Sequence, residues 1–341
     1  MKTAIIYSEK FLKHDLPSHP ENKQRLISIV DLLKKEGFKF LKPEMRREDE
    51  ILKVHSKEYL NLVKNLSSSS GWLDSDTYVV KSSFEVAKLA VSGVLQAIDF
   101  VLEGKFNYGF ALVRPPGHHA KPKRGMGFCL FNNVAIGANS ILKKGLVERV
   151  LILDLDCHHG NGTQEIFYNR NDVLYFSLHQ YPYYPGSGSI EEMGSGLGEG
   201  FNINIPLPSG TDDFNYLKSL EIFSSIAEQY KPNIILVSMG YDTYWNDPLT
   251  NFNLTLNGYK KIAKLVKEVA KKVCKGKLVF VLEGGYNLEG LSKGVANFLF
   301  ELEGIKKEFK EKEIRNKEVD LKIEEIIRNV KRKLRKYWEI Y

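Results

Sequence analysis

The stretch Val150-Leu151-Ile152-Leu153-Asp154-Leu155-Asp156-Cys157-His158-His159-Gly160-Asn161-Gly162 changes character within a few residues. An unbroken apolar run gives way to two aspartates, two histidines and a glycine-rich turn. Such a run reads as a strand covered on both faces, the habit of parallel sheets. In an extended chain residues two apart share a face, so Asp154, Asp156 and His158 point one way and Cys157 the other. Two carboxylates and an imidazole converging at a strand end are costly unless a cation binds them. One Asp with one His makes half of a tetrahedral zinc site, and catalytic zinc usually takes a third protein ligand and keeps a position for water. A satisfied polar cluster in the core is the plain alternative for the Asp-x-Asp-x-His pattern alone. The glycines and Asn161 next to it argue for a tight turn with a function.

Working outward, strands are expected over 3–8, 38–42, 108–114, 150–156, 173–179, 201–208, 233–240 and 277–282. Between them, 256–274 places Tyr259, Ile262, Leu265, Val266, Val269 and Val273 on one helical face, and 83–103, 131–144 and 213–229 read similarly. Strands alternating with helices give an α/β fold with a mostly parallel sheet. About eight strands also suit a closed (β/α) barrel, which periodicity alone does not distinguish. No internal repeat or interdomain linker is visible, and Ser67 to Ser70 reads as a loop.

Three further motifs share the address of the first. Strand 233–240 runs into Tyr241-Asp242, a second carboxylate at a strand end and a candidate third ligand. Strand 108–114 runs into Arg114-Pro115-Pro116-Gly117-His118-His119, an adjacent histidine pair in a loop stiffened by proline. Their unperturbed pKa lies near neutrality, as general acid–base work requires. Strand 277–282 runs into Glu283-Gly284-Gly285-Tyr286, which turns sharply and presents a phenol. Taken singly these are turn chemistry, exposed histidines and a half-buried tyrosine. All lie beyond C-terminal ends of parallel strands, the edge where α/β proteins place their ligand sites.

Composition narrows the class. With 43% hydrophobic and 27% charged residues the chain reads as soluble and globular, and 341 residues bury a large core without disulfides. Cys129, Cys157 and Cys274 form no CxxC pair, so a reducing, cytoplasmic setting is expected. No signal peptide or membrane span is visible. The net charge of +7 is concentrated at the end: residues 305–341 carry 13 Lys/Arg against 8 Asp/Glu, leaving +2 for the rest. A basic tail on a nearly neutral body makes nucleic acid an unexpected partner for that body. In this tail Ile323, Ile326, Ile327, Val330, Leu334, Tyr337 and Trp338 recur at helical spacing opposite Lys331, Arg332, Lys333, Arg335 and Lys336. That pattern predicts a helix docked on the body with its basic side solvated.

HPENKQRL (19–26), RPPGHH (114–119), GFCLFNNVA (127–135), DLDCHHGNGTQEIFY (154–168), YFSLHQ (175–180), DPL (247–249) and LEGGYNL (282–288) together resemble the histone deacetylases. The likeness is to the class II-like branch with bacterial and archaeal deacetylases and acetylpolyamine hydrolases, and it runs from about His19 to Leu302. It implies the three-layer arginase/deacetylase α/β fold, with an open, eight-stranded, mostly parallel sheet flanked by helices. The catalytic domain would span 1–304, and 305–341 would be a charged helical extension packed on it.

By the same resemblance Asp156, His158 and Asp242 would hold zinc, although His/carboxylate sites also accept iron(II). His119 would be the general base and acid, with His118, paired to Asp154, tuning it. Tyr286 would donate its hydroxyl to the amide oxygen. Gly127, Phe128 and Tyr184 would form an acyl-lysine tunnel, and Asp76 would grip substrate at its rim. Potassium would sit at Asp154 and Ser177. Two positions depart from the pattern: Tyr244 stands where many relatives have His, and Thr250 where Gly follows Asp-Pro-Leu.

The expected activity is removal of acetyl groups from acetylated lysines of proteins. An acetylated polyamine or other small acylated amine is the alternative substrate, with Asp74, Asp76, Glu191 and Glu192 as candidates for an acidic rim. A non-catalytic acetyl-lysine reader would not need His118, His119 and Tyr286. An arginase-like two-metal enzyme would need a carboxylate where Gly160 stands. No pattern specifies an oligomer.

Overall fold

A computed structural model describes residues 2–340. The elements in chain order are β1 (Thr3–Ile6), α1 (Gln24–Lys35), α2 (Lys57–Ser69), β2 (Gly71–Trp72), β3 (Tyr78–Val79), α3 (Ser83–Leu102), β4 (Tyr108–Ala111) and α4 (Asn133–Lys143). Next come β5 (Val150–Asp154), α5 (Asn161–Phe167), β6 (Val173–Gln180), β7 (Asn202–Leu207), α6 (Asp213–Tyr230) and β8 (Ile234–Met239). The chain continues with α7 (Leu256–Cys274), β9 (Leu278–Leu282), α8 (Leu288–Glu303) and α9 (Asp320–Leu334).

Seven strands form one parallel sheet in the order β1-β4-β9-β8-β5-β6-β7. The sheet is open, not a barrel. Its strands are buried along their whole length, as the continuous apolar runs required. Helices α3 and α4 pack on one face, and α6, α7 and α8 on the other, with α1 against α8. The amphipathic stretch 256–274 is α7 itself, started by the Thr255 side chain accepting from Gly258 N and closed by Lys275 in the left-handed region.

The expected eighth strand is absent. Residues 38–42 touch the sheet edge only through an Ile6–Leu41 bridge, with Leu41 N donating to Ile5 O and Tyr7 N to Leu41 O. Pro43 has no N–H to extend the ladder, which explains the early stop. A second correction concerns Ser67 to Ser70. Ser67, Ser68 and Ser69 close the last turn of α2, where Ser68 Oγ donates to Asn65 O and buried Ser67 Oγ accepts from Phe84 N.

Strand order determines where the site can form. From β5 the chain moves outward through β6 to β7, then returns to the other side of β5 as β8. The reversal opens a crevice at the C-terminal ends of β5 and β8. The strands preceding the four motifs, β4, β9, β8 and β5, are consecutive in the sheet. Near the chain's end, α9 packs on β7 and α6 with Ile323, Val330 and Leu334 buried. Each such side chain contributes about 1.5–3 kcal/mol. No helix among the described residues is long and apolar enough to cross a membrane.

Candidate active site

The loops beyond these strand ends enclose a cavity of about 240 Å³. Its floor holds Asp156 and His158 from the β5 end, with Asp242 from the β8 end beside them. One ligand atom from each of the three lies within 4.8 Å of the others. His158 Nδ1 is 2.9 Å from Asp242 Oδ2 and 3.2 Å from Asp156 Oδ1. Both carboxylates are buried, and among the described residues neither has a Lys or Arg partner. Burial and the neighbouring Asp156 push Asp242 up to about 7. Burial would raise Asp156 too, but His118 and His158 outweigh it and hold it low. Two buried carboxylates and one imidazole therefore make an oxygen/nitrogen donor set that a divalent cation fits and neutralises.

Glycines permit this closeness. A β-carbon at Gly284 would lie 2.4 Å from Asp242 Oδ2 and 2.7 Å from Asp156 Oδ2. Instead the bare backbone comes in, and Gly284 N donates to Asp156 Oδ2 at 2.8 Å.

The histidine pair stands against one wall. His118 Nδ1 is 3.1 Å from Asp154 Oδ2, which also accepts from Tyr175 OH at 3.0 Å. Burial pulls His118 down, but Asp154 and Asp156 outweigh it and hold its pKa at about 10. His119 has the opposite fate: burial, then repulsion from His118 and His158, keeps it well below the usual range. Its Nδ1 faces Asn161 Oδ1 at 2.8 Å. A carbonyl oxygen only accepts, so Nδ1 carries the proton and Nε2 keeps its lone pair.

Glu283 holds this loop from below. Its buried Oε2 accepts from Gly117 N at 2.7 Å and His118 N at 3.2 Å, and Oε1 accepts from Ser238 Oγ at 3.0 Å. Burial pushes its pKa up to about 7. Asp247 does the same for the opposite wall, accepting from Tyr286 N at 2.7 Å and Asn287 N at 3.2 Å.

The remaining walls are aromatic. Phe128 adopts φ +67°, a strained value for a bulky residue, and its N–H donates to Thr77 Oγ1 at 3.1 Å. Its ring meets Tyr286 and His19 edge-on, at 5.8 Å and 4.6 Å. Gly127 precedes it at φ +56°, where a β-carbon would strike the His119 ring. Tyr184 stands edge-on to His119 at 5.3 Å. Tyr183 lies against His158 and ties two loops together through its OH to Leu249 O at 2.6 Å.

The structure thus brings Asp76, His118, His119, Gly127, Phe128, Asp156, His158, Tyr184 and Tyr286 to one cavity. Asp154 sits behind His118, and Ser177 is its register partner across β5 and β6. Glu191 and Glu192 do not join the rim: Lys333 pairs with Glu191, while Glu192 is held by Gln164, Gly188 N and Ser189 N. Residues that no motif reading marked as functional include Tyr183, Glu283, Asp247 and the cluster around Glu21. Fully buried Glu21 takes Arg114 and Arg25 together, and Arg25 Nε reaches Gly285 O at 2.7 Å with its guanidinium 5.0 Å from the Tyr286 ring centre. The HPENKQRL and RPPGHH motifs contain these residues, but their pairing is tertiary.

Comparison with known proteins agrees with this geometry. A model of the histone deacetylase domain matches residues 19–302. The chain is 44% identical over 298 residues to a probable deacetylase of Archaeoglobus fulgidus, covering 85% of this chain and 83% of the relative. It is 38% identical over 274 residues to the histone deacetylase-like amidohydrolase of Pseudomonas aeruginosa, covering 79% and 72%. The crystal structure of the HDA15 HD domain matches with a TM-score of 0.90 at 32% identity, over 99% of this chain and 96% of that one. With the domain model spanning most of its length and these relatives matched along most of theirs, the chain belongs to the histone deacetylase family of hydrolases that act on linear amides.

Proposed function

We propose that this protein is a zinc-dependent deacetylase that removes acetyl groups from acetylated lysine side chains of proteins. The observation that carries this reading is the convergence of Asp156, His158 and Asp242 at the floor of a cavity whose walls present His119 and Tyr286. Asp156, His158 and Asp242 would hold the metal, zinc or iron(II) by donor type. A metal bound there would supply Lewis acidity toward an amide carbonyl and toward water.

The chain supplies the rest. His119 Nε2 takes the proton from the attacking water and returns it to the leaving amine. His118, kept protonated by Asp154, stabilises developing negative charge beside it. Tyr286 donates its hydroxyl to the amide oxygen as that oxygen becomes anionic. Gly127, Phe128 and Tyr184 line an acyl-lysine passage, which aromatic walls suit because the lysine stem is apolar. Asp76 stands at the cavity's rim to accept from substrate N–H groups.

Potassium beside Asp154 and Ser177 is part of the same proposal, supported by their adjacency across β5 and β6. Residues 1–304 form the catalytic domain in this reading and 305–341 an extension. Three free, buried thiols favour a reducing cytoplasm.

Lysine is preferred over a polyamine because two of the four acidic rim candidates, Glu191 and Glu192, are engaged away from the cavity, leaving Asp76 with Asp74 beside it on the same turn. Acetate release from an acetyl-lysine peptide and an acetylated polyamine, measured side by side, tests this. The peptide should be turned over faster. Cleavage of the polyamine alone would overturn the substrate assignment, and silence on both with metal bound would overturn the deacetylase reading.

A further inference from the structure

We infer that Glu311, in the extension beyond the matched family domain, is a positioning residue that fixes the loop carrying Asp242 and, through it, the Tyr286 wall. The inference rests on the deacetylase reading for its activity arm only.

The loop between β8 and α7 serves the cavity at several points. It begins with Asp242, holds Tyr286 and Asn287 through Asp247, and supplies Leu249 to the wall. Its inner side is well fastened: Thr250 Oγ1 bonds to Asp242 O, and Asn251 N donates to Gln180 Oε1 at 3.0 Å. Asn287 Nδ2 holds Asn246 O and Asp213 holds Thr255, while at Tyr244 and Trp245 the outer side is fastened by Glu311. Glu311 Oε1 accepts from Tyr244 OH at 2.7 Å and from Trp245 Nε1 at 2.6 Å. Glu311 Oε2 accepts from Leu256 N at 3.0 Å, satisfying an otherwise open donor in the first turn of α7. Asn257 Nδ2 also donates to Glu311 O at 3.2 Å. Residues 66, 67 and 55 positions apart in sequence thus meet on a single side chain.

Tyr244 transmits the constraint. Asp247 N donates to Tyr244 O at 2.9 Å, so the residue that Glu311 anchors sets the backbone of the residue that holds Tyr286. The ring of Tyr244 also lies on the first turn of α8, where a β-carbon at Gly290 would sit 2.3 Å from it. That turn begins just after Tyr286 and Asn287. The Tyr244 phenol reaches the Glu311 carboxylate as a hydrogen-bond donor at neutral pH.

Glu311→Ala, Glu311→Gln and Tyr244→Phe test this, with Glu313→Ala as control, since Glu313 sits on the same segment and its ion pair among the described residues is with Lys261 at the surface. Hydrogen–deuterium exchange of 243–255 and steady-state kinetics on an acetylated peptide are read together. Glu311→Ala should speed exchange in 243–255 while the sheet exchanges as in the wild type. It should also lower kcat about 10-fold to 100-fold, the usual effect of losing a group that orients an active-site residue, with KM little changed. Glu311→Gln, which keeps one oxygen acceptor, should fall between, and Glu313→Ala should match the wild type. Adding Tyr244→Phe to Glu311→Ala should cost little more, because both cut one path. Unchanged exchange in 243–255 would overturn the inference. So would faster exchange throughout the chain with kcat of the folded protein unchanged, the mark of a merely structural role. If the wild type releases no acetate, the deacetylase reading fails, while local exchange still decides whether Glu311 braces the loop.

Discussion

Glu21→Gln removes the one negative charge from a buried cluster that holds two guanidinium groups. Arg114 Nε bonds to Glu21 Oε1, Arg114 Nη2 donates to Oε2 at 2.8 Å, and Arg25 Nη1 lies 3.1 Å from Oε1. All three side chains are essentially inaccessible to water. Burial alone would raise the pKa of Glu21, but Arg114 and Arg25 outweigh it and bring it from 4.5 to about 2. Because a tenfold change in proton affinity corresponds to about 1.4 kcal/mol, that drop amounts to roughly 3 kcal/mol of stability. Breaking a buried ion pair costs about 3–5 kcal/mol by a separate route, so the two magnitudes agree.

The direction with pH comes from the depressed value. The stabilisation is complete above pH 4.5 and is lost as pH falls through about 2. Urea unfolding followed by circular dichroism should therefore show the variant less stable by about 3 kcal/mol at neutral pH. The gap should narrow steadily on acidification below 4.5. A neutral-pH difference under about 1 kcal/mol, the scale of an ordinary surface pair, would refute the reasoning. So would a gap indifferent to acid. Because Arg25 also bonds Gly285 O and lies against Tyr286, the variant should lose activity as well as stability.

Other substitutions probe the site more closely. Gly284→Ala drives a methyl group into Asp156 and Asp242, so purified protein should carry far less than one equivalent of metal, and full occupancy by elemental analysis would contradict the packing argument. Tyr286→Phe should slow kcat by about 2.7–4 kcal/mol, as loss of an oxyanion donor does, and a rate within twofold of wild type would remove Tyr286 from that role. Gly127→Ala should displace His119 and lower kcat while leaving the metal in place, since its β-carbon would lie 2.4 Å from His119 Cδ2. Retention of normal kcat would mean the His119 ring has room that the structure denies it.

How far the sequence reaches depends on the kind of interaction. Continuous apolar runs such as 150–153 and 278–282 announce parallel strands because burial on both faces leaves no polar alternation. The span of α7 is legible for the same reason, since Tyr259, Ile262 and Val266 recur at one turn. The edge segment at 38–42 misleads because its composition suits a strand while Pro43 ends the ladder, a local veto that periodicity does not weigh. The candidate ligands are readable because each comes just after a strand. That β4, β9, β8 and β5 lie side by side is not, since strand order is set by how crossover helices pack. Supporting residues are hardest. Glu283, Asp247 and Glu311 act through hydrogen bonds to segments distant in sequence, and no periodic pattern marks such bonds.

A metal held by Asp156, His158 and Asp242 for amide hydrolysis is the central claim. It is tested most directly by acetate release from an acetyl-lysine peptide before chelation, after chelation and after zinc is returned, with Asp242→Asn treated alike. Chelation should silence the wild type, zinc should restore it, and Asp242→Asn should stay silent throughout. Acetate release that survives complete metal removal, or an Asp242→Asn variant as active as the wild type, would contradict the claim.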